Sequence, residues 1–148
     1  MKNNILINTK LGEFHLNVNI KLVNGINCFF GPSGAGKTSI INCIAGIIKP
    51  KKAKIVLKNN VLIDTKENKF APIHKRNIGY VFQEARLFPH LSVKQNLLYG
   101  YRLKQNNKKN FIYEEIISLL KLENIVKRYP YNLSGGEKQR EAIGRALL

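Results

Sequence analysis

Residues 31–38, Gly31-Pro32-Ser33-Gly34-Ala35-Gly36-Lys37-Thr38, set three glycines, a lysine and a hydroxyl at the spacing G-x-x-x-x-G-K-[ST]. Those residue types in that order suit a polyphosphate. Backbone N–H groups of a glycine loop surround the phosphates, the Lys37 ammonium reaches the outer two, and the Thr38 hydroxyl is placed for Mg²⁺. A second anion-binding pattern reads Leu133-Ser134-Gly135-Gly136-Glu137-Lys138-Gln139-Arg140. Ser134 and Glu137 form a capping box, so a helix starts near Gly135 with two glycines and no side-chain bulk at the positive end of its dipole. Along that helix Ala142, Ile143, Ala146 and Leu147 share one face, while Glu141 and Arg145 stand four apart and can pair across a turn.

The elements that must position these groups follow from the hydrophobic pattern. Residues 26–30 (INCFF) read as a short buried strand, and 39–48 as an apolar helix, giving strand, glycine loop and helix in order. Residues 78–82 (IGYVF) read as a second buried strand of the same core, and Gln83 stands at its end, where α/β sheets place their chemistry. Residues 5–7, the alternating run 14–20 and a hairpin over 54–63, turning at Lys58-Asn59-Asn60, read as an antiparallel subdomain. From Ser92 onward the chain is mainly helical. Ser92 and Gln95 form another capping box, 111–120 is a helix, and 129–132 is a loop leading to Leu133. Polar linkers occupy 66–75 and 104–110. Leu87 and Phe88 sit in a proline-held loop, either as an exposed patch for a partner or packed inward.

The octet at Leu133 resembles the signature sequence of ATP-binding cassette (ABC) ATPases. With it, 30–41 (FGPSGAGKTSII), 61–64 (VLID) and 78–97 (IGYVFQEARLFPHLSVKQNL) make the chain similar to the N-terminal part of the ATP-binding subunit of a bacterial ABC importer, most closely the molybdate type. The resemblance implies an α/β fold, a partial P-loop ABC ATPase domain. Its RecA-like core and antiparallel β subdomain cover about 1–84, its helical subdomain about 85–148, and its C-terminal strands are lacking. It implies ATP and Mg²⁺ as cofactors. Residues 31–38 with Ser39, Gln83, and Leu133, Ser134, Gly135, Gly136 and Glu137 would contact the nucleotide, and Thr38 and Gln83 the metal. It also implies partners: a transmembrane permease subunit, a second copy of the ATPase, and indirectly an extracytoplasmic solute-binding protein. The expected place is cytoplasmic, peripheral on the inner face of the cell membrane.

Departures from the family pattern bear on catalysis. The second Mg²⁺ ligand, an Asp at the end of another buried strand, and the carboxylate that follows it come after the signature helix in the family, and the 148 residues stop first. Asp64, the only aspartate, ends an apolar run but sits in the expected hairpin with no Glu after it. His15, His74 and His90 match no switch-histidine motif, and Leu11 occupies the slot of the adenine-stacking aromatic, leaving Phe14 as a substitute. The chain is therefore expected to bind ATP without hydrolysing it, and to hold no catalytic residue beyond the sensing role of Gln83.

Composition narrows the remaining classes. Twenty-five Lys and Arg against nine Asp and Glu give a net charge of +16, which admits a soluble ABC protein acting on nucleic acid or the ribosome as an alternative, with a non-functional gene fragment as another. The basic residues are spread rather than clustered with aromatics, so nucleic acid is disfavoured; Lys49, Lys51, Lys52 and Lys54 read as a solvated turn. Cys28 and Cys43 have no metal-binding spacing and lie in apolar runs, so both are expected as buried free thiols. No signal peptide or membrane-spanning run is expected.

Overall fold

Alternation of apolar and polar residues writes the first sheet. In β1 (Asn4–Leu11) Ile5, Ile7 and Thr9 point into the core and are almost fully buried. β2 (Phe14–Lys21) pairs with it antiparallel, with Ile7 opposite Val18 and Leu11 opposite Phe14. On the other side of β1 lies β3 (Lys52–Leu57), with Ile5 opposite Ile55. A two-residue turn leads into β4 (Asn60–Asp64), and β5 (Lys69–Phe70) closes the edge, giving the antiparallel order β2-β1-β3-β4-β5. Lys58 and Asn59 take φ of 48° and 66°, the left-handed pair that matches a hairpin turn to strand twist. The computed structural model describes residues 3–101 and 112–148 and divides into two units, Met1–Ile78 and Gly79–Leu148.

One helix covers the sheet in the first unit. α1 (Lys37–Ala45) lays Ile40 and Cys43 on Ile5, Ile7, Ile55 and Ile63. Burying each such isoleucine stabilises the unit by about 1.5–3 kcal/mol. The second unit is helical: α2 (Val93–Tyr101), α3 (Tyr113–Leu119) and α4 (Gly135–Leu147) gather Val93, Leu97, Ile116, Leu122 and Leu133 into a separate core. The capping box at Ser92 is present: its N–H donates to Gln95 Oε1 at 2.8 Å, and Gln95 N–H donates to Ser92 Oγ at 3.3 Å. Gly144 lets α4 approach closely, since a Cβ there would lie 2.7 Å from Leu97 Cδ2. A 3₁₀ turn, Pro130–Asn132, delivers the chain to Leu133. Phe111 and the linker expected at 104–110 lie outside the described residues.

Two expected strands are not formed. Residues 26–30 and 78–82 carry no strand in the structure, and Ile26 and Phe30 are 97% and 101% exposed. A strand exists only where a neighbour takes up its N–H and C=O groups, and neither run joins the ladder of the five-stranded sheet. Local bonds take their place around Asn27, whose Oδ1 accepts from Val23 N–H at 3.0 Å and whose Nδ2 donates to Val23 O at 2.9 Å. Cys28 is consequently exposed, contrary to the sequence expectation, whereas Cys43 is fully buried. Among the described residues no helix is long and apolar enough to cross a membrane.

Candidate functional site

The glycine loop ends at a helix that has no side-chain cap. Gly36 is the N-cap of α1 with φ 89°, and the first turn contains no acidic residue. The N–H groups of that turn and the positive end of the helix dipole are therefore left to the loop. Glycine is required at this point: φ is left-handed, and a Cβ would stand 3.0 Å from both Leu16 Cδ1 and Phe14 Cε1. Lys37 Nζ donates to the carbonyls of Gly31 at 2.8 Å and Pro32 at 2.7 Å, so its ammonium is curled over the loop. Pro32, Ser33, Gly34, Ala35 and Thr38 are exposed, while Ser39 is half-buried. Backbone N–H groups, one ammonium and the Ser33 and Thr38 hydroxyls, with no carboxylate in the run, fit a phosphate chain and its cation.

The other end of α1 is held as firmly, by a residue no local pattern flagged. The Arg76 guanidinium, 8% exposed, donates to the carbonyls of Cys43 at 3.1 Å, Ile44 at 2.7 Å and Ala71 at 2.9 Å. Orphan carbonyls at a helix C-terminus favour such a cation, and here it also ties α1 to the segment after β5. Beside the loop runs an open groove of about 620 Å³ lined by Val18, Ile20, Phe29, Ala35, Lys37 and Ile40. Phe14 sets its ring against Gly36 and is 40% exposed, which places an aromatic edge next to the glycine loop.

Asp64 is occupied structurally. Its Oδ2 lies 2.6 Å from Lys54 Nζ, and its Oδ1 accepts from Lys66 N–H at 3.1 Å. The Lys54 hydrogen bond holds the Asp64 carboxyl below the usual range against the opposing effect of burial. Lys49, Lys51 and Lys52 are exposed, and Lys49 lies 4.2 Å from the centre of the Phe70 ring.

In the second unit the signature turn has its reciprocal cap. Ser134 N–H donates to Glu137 Oε2 at 2.7 Å, Ser134 Oγ donates to the same oxygen at 2.8 Å, and Glu137 N–H donates to Ser134 Oγ at 3.3 Å. These bonds, the Ser134 backbone N–H first, hold the Glu137 carboxyl below its usual range. Leu133 is buried beneath the turn, and Ser134, Gly135 and Gly136 are exposed. Gln83, also exposed, shares an open cleft of about 380 Å³ with Ala85, Leu87, Pro130, Gly135 and Lys138. Gln83 and the first turn of α4 thus border one cavity.

The ion pair expected between Glu141 and Arg145 does not form. Both Glu141 oxygens lack a hydrogen-bond partner, and the residue is 0% exposed. Burial pushes its carboxyl up to about 7, against the pull of the Arg145 charge. Arg145 turns to the loop after Gln83, donating to Arg86 O at 2.9 Å and Ala85 O at 3.4 Å. Leu87 and Phe88 are both half-buried, so the exposed patch is in part covered within its own unit; the Phe88 ring lies 4.5 Å from that of Tyr99.

Comparison with known proteins follows this geometry. The family model described as ABC transporter matches residues 16–148. The molybdenum import ATP-binding protein ModC of Pectobacterium atrosepticum is 51% identical over 140 residues, 94% of this chain and 39% of its own length. The protein of the same name in Photorhabdus laumondii is 53% identical over 140 residues, 94% of this chain and 38% of its own length. The chain therefore spans less than two fifths of these relatives. Among solved structures, the dimeric bacterial ABC transporter cassette MJ0796 matches with a TM-score of 0.71 at 28% identity, covering 99% of this chain and 68% of that one. The same cassette in a post-hydrolysis state bound to ADP and Pi gives 0.68 at 30% identity, again over 99% and 68%. The fold is α/β and that of an ABC ATPase cassette, with an antiparallel sheet and, among the described residues, four α-helices.

Proposed function

The chain belongs to the ABC transporter family, and from that premise we propose that it binds ATP as the energy-coupling subunit of an importer. The observation that carries this reading is α1 starting at a left-handed glycine with no side-chain cap and with Lys37 folded over the loop. Gly31, Ser33, Gly34, Ala35, Gly36 and Ser39 would hold the phosphates through backbone N–H and hydroxyl groups, Pro32, which has no N–H to give, would shape the loop between them, and Lys37 would neutralise the outer ones. The Thr38 hydroxyl and the Gln83 amide would contact Mg²⁺, which supplies charge neutralisation when bound. Leu133, Ser134, Gly135, Gly136 and Glu137 would cover the ATP of a second copy, so that the site is completed only when two copies meet head to tail.

Binding rather than turnover is the activity proposed for these 148 residues, because Asp64 is their only aspartate and its carboxylate is committed to Lys54. Molybdate or a related oxyanion is the proposed solute, supported by relatives 51% and 53% identical that are molybdenum import proteins. The proposed partner is a membrane permease, with a solute-binding protein acting through it, and the proposed place is the cytoplasmic face of the membrane. Affinity purification of the tagged chain from detergent-solubilised native cells tests this. Recovery of a hydrophobic membrane subunit supports the importer reading, and recovery of RNA or ribosomal protein in its place rejects it.

A further inference from the structure

The segment after Gln83 has no secondary structure between 83 and 92, yet its backbone is held at several points by two side chains from two helices. Asn96 of α2 is 0% exposed. Its Oδ1 accepts from Phe88 N–H at 2.9 Å, and its Nδ2 donates to Phe88 O at 3.1 Å, Leu91 O at 3.1 Å and Ser92 O at 3.3 Å. Arg145 of α4 takes the preceding part of the loop, through Arg86 O at 2.9 Å and Ala85 O at 3.4 Å. The same guanidinium donates to Asn96 Oδ1 at 3.5 Å and lies 5.3 Å from the centre of the Phe88 ring. The two side chains therefore form one connected clamp.

Two features show that the clamp has a definite task. Arg86 is held at φ 48°, a left-handed conformation that a branched or long side chain seldom adopts, and the carbonyl of that residue is the one Arg145 binds most closely. Glu141, one turn back on the same helix, is the usual partner for such an arginine. It is left without a hydrogen bond while the guanidinium goes to the loop. A planar fork with several N–H donors matches two successive carbonyls, which an ammonium would meet only one at a time.

We propose that Arg145, through Asn96, is the positioning residue for Gln83. It fixes the loop that follows the glutamine to the helix that begins with the signature turn, so that Gln83 and Ser134 move as one body. The cleft between Gln83 and Gly135 then keeps its width when either wall is displaced. This inference rests on the proposed nucleotide-sensing role of Gln83 for its meaning, but the clamp itself is measured without nucleotide.

Amide hydrogen exchange on the full 148-residue chain tests it. In Arg145→Gln, the bonded amides of 84–91, those of Phe88 and Leu91, should exchange at least tenfold faster, while those of 114–126, in the core of the same unit, change by less than twofold. Arg145→Lys should give an intermediate rate, as a partial rescue by the conserved charge. Unchanged exchange over 84–91 overturns the proposal. Equal acceleration over 84–91 and 114–126 in both variants also overturns it, because that is the signature of a merely structural arginine. If Arg145→Gln does not fold, Arg145→Lys and Asn96→Ser decide by the same criterion. Binding of a fluorescent ATP analogue with Mg²⁺ to the wild-type chain is read separately: its failure would sink the nucleotide reading and leave the clamp result standing.

Discussion

Glu141 should make the stability of the helical unit fall as pH rises, in the range where proteins are usually most secure. Its carboxyl is fully buried with neither oxygen bonded, and its pKa is raised from 4.5 to about 7. In the unfolded chain the group releases its proton near 4.5, whereas the folded chain keeps it until about 7. The unfolded state therefore binds fewer protons between those values, and this group's contribution to stability is full below pH 4.5 and lost by pH 7 and above. At about 1.4 kcal/mol per pH unit between 4.5 and about 7, the loss has a ceiling of about 3.5 kcal/mol. Glu141→Gln keeps the shape and carries no charge at any pH. Glu141→Leu also removes the unpaired polar atoms from a fully buried position. Urea unfolding of the full chain, followed by circular dichroism at 222 nm from pH 5 to 8.5, measures the difference. Wild type should weaken relative to Glu141→Gln by up to about 2.5 kcal/mol across that range, and Glu141→Leu should be the most stable variant at pH 8. Comparison within the pair removes the contributions of all other titrating groups. Parallel pH profiles for wild type and Glu141→Gln would refute the reasoning, because they would mean that the carboxylate ionises freely in the folded chain.

Gly144→Ala should destabilise the same unit by about 1–3 kcal/mol, since the new methyl stands 2.7 Å from Leu97 Cδ2; the urea midpoint reads it. A native thiol titration should find Cys28 modified promptly and Cys43 only after unfolding, because the first is exposed and burial pushes the second thiol up; two slow thiols would contradict the placement of residues 26–30. Phe14→Ala should weaken ATP binding by about three- to tenfold through loss of the ring that backs Gly36, about 1 kcal/mol in a fluorescence titration, with unchanged affinity counting against a role for that ring.

Features legible in the sequence were those decided by chemistry within a few residues. The turn into α1 needs only its glycines, the hairpin turn only Lys58 and Asn59, and the two capping boxes only a hydroxyl and a carboxylate or amide three residues on. The rest depends on groups far apart along the chain. Residues 26–30 and 78–82 have strand composition, but composition supplies no neighbour to complete a ladder, and exposure of Cys28 follows from that. The spacing of Glu141 and Arg145 favours a pair, yet Arg145 meets carbonyls 59 and 60 residues earlier and leaves the carboxylate alone. Neither the Arg76 cap on α1 nor the Asn96 bonds to the 88–92 backbone carry a local signal, because both are made by tertiary contact.

The most direct test of the central claim, that residues 31–38 form an ATP site, is equilibrium binding of an ATP analogue with Mg²⁺ to the 148-residue chain and its Lys37→Ala variant. Saturable binding that weakens at least tenfold in Lys37→Ala, about 1.4 kcal/mol or more, is the predicted result. Equal affinity in the two chains, with both folded, would contradict the account.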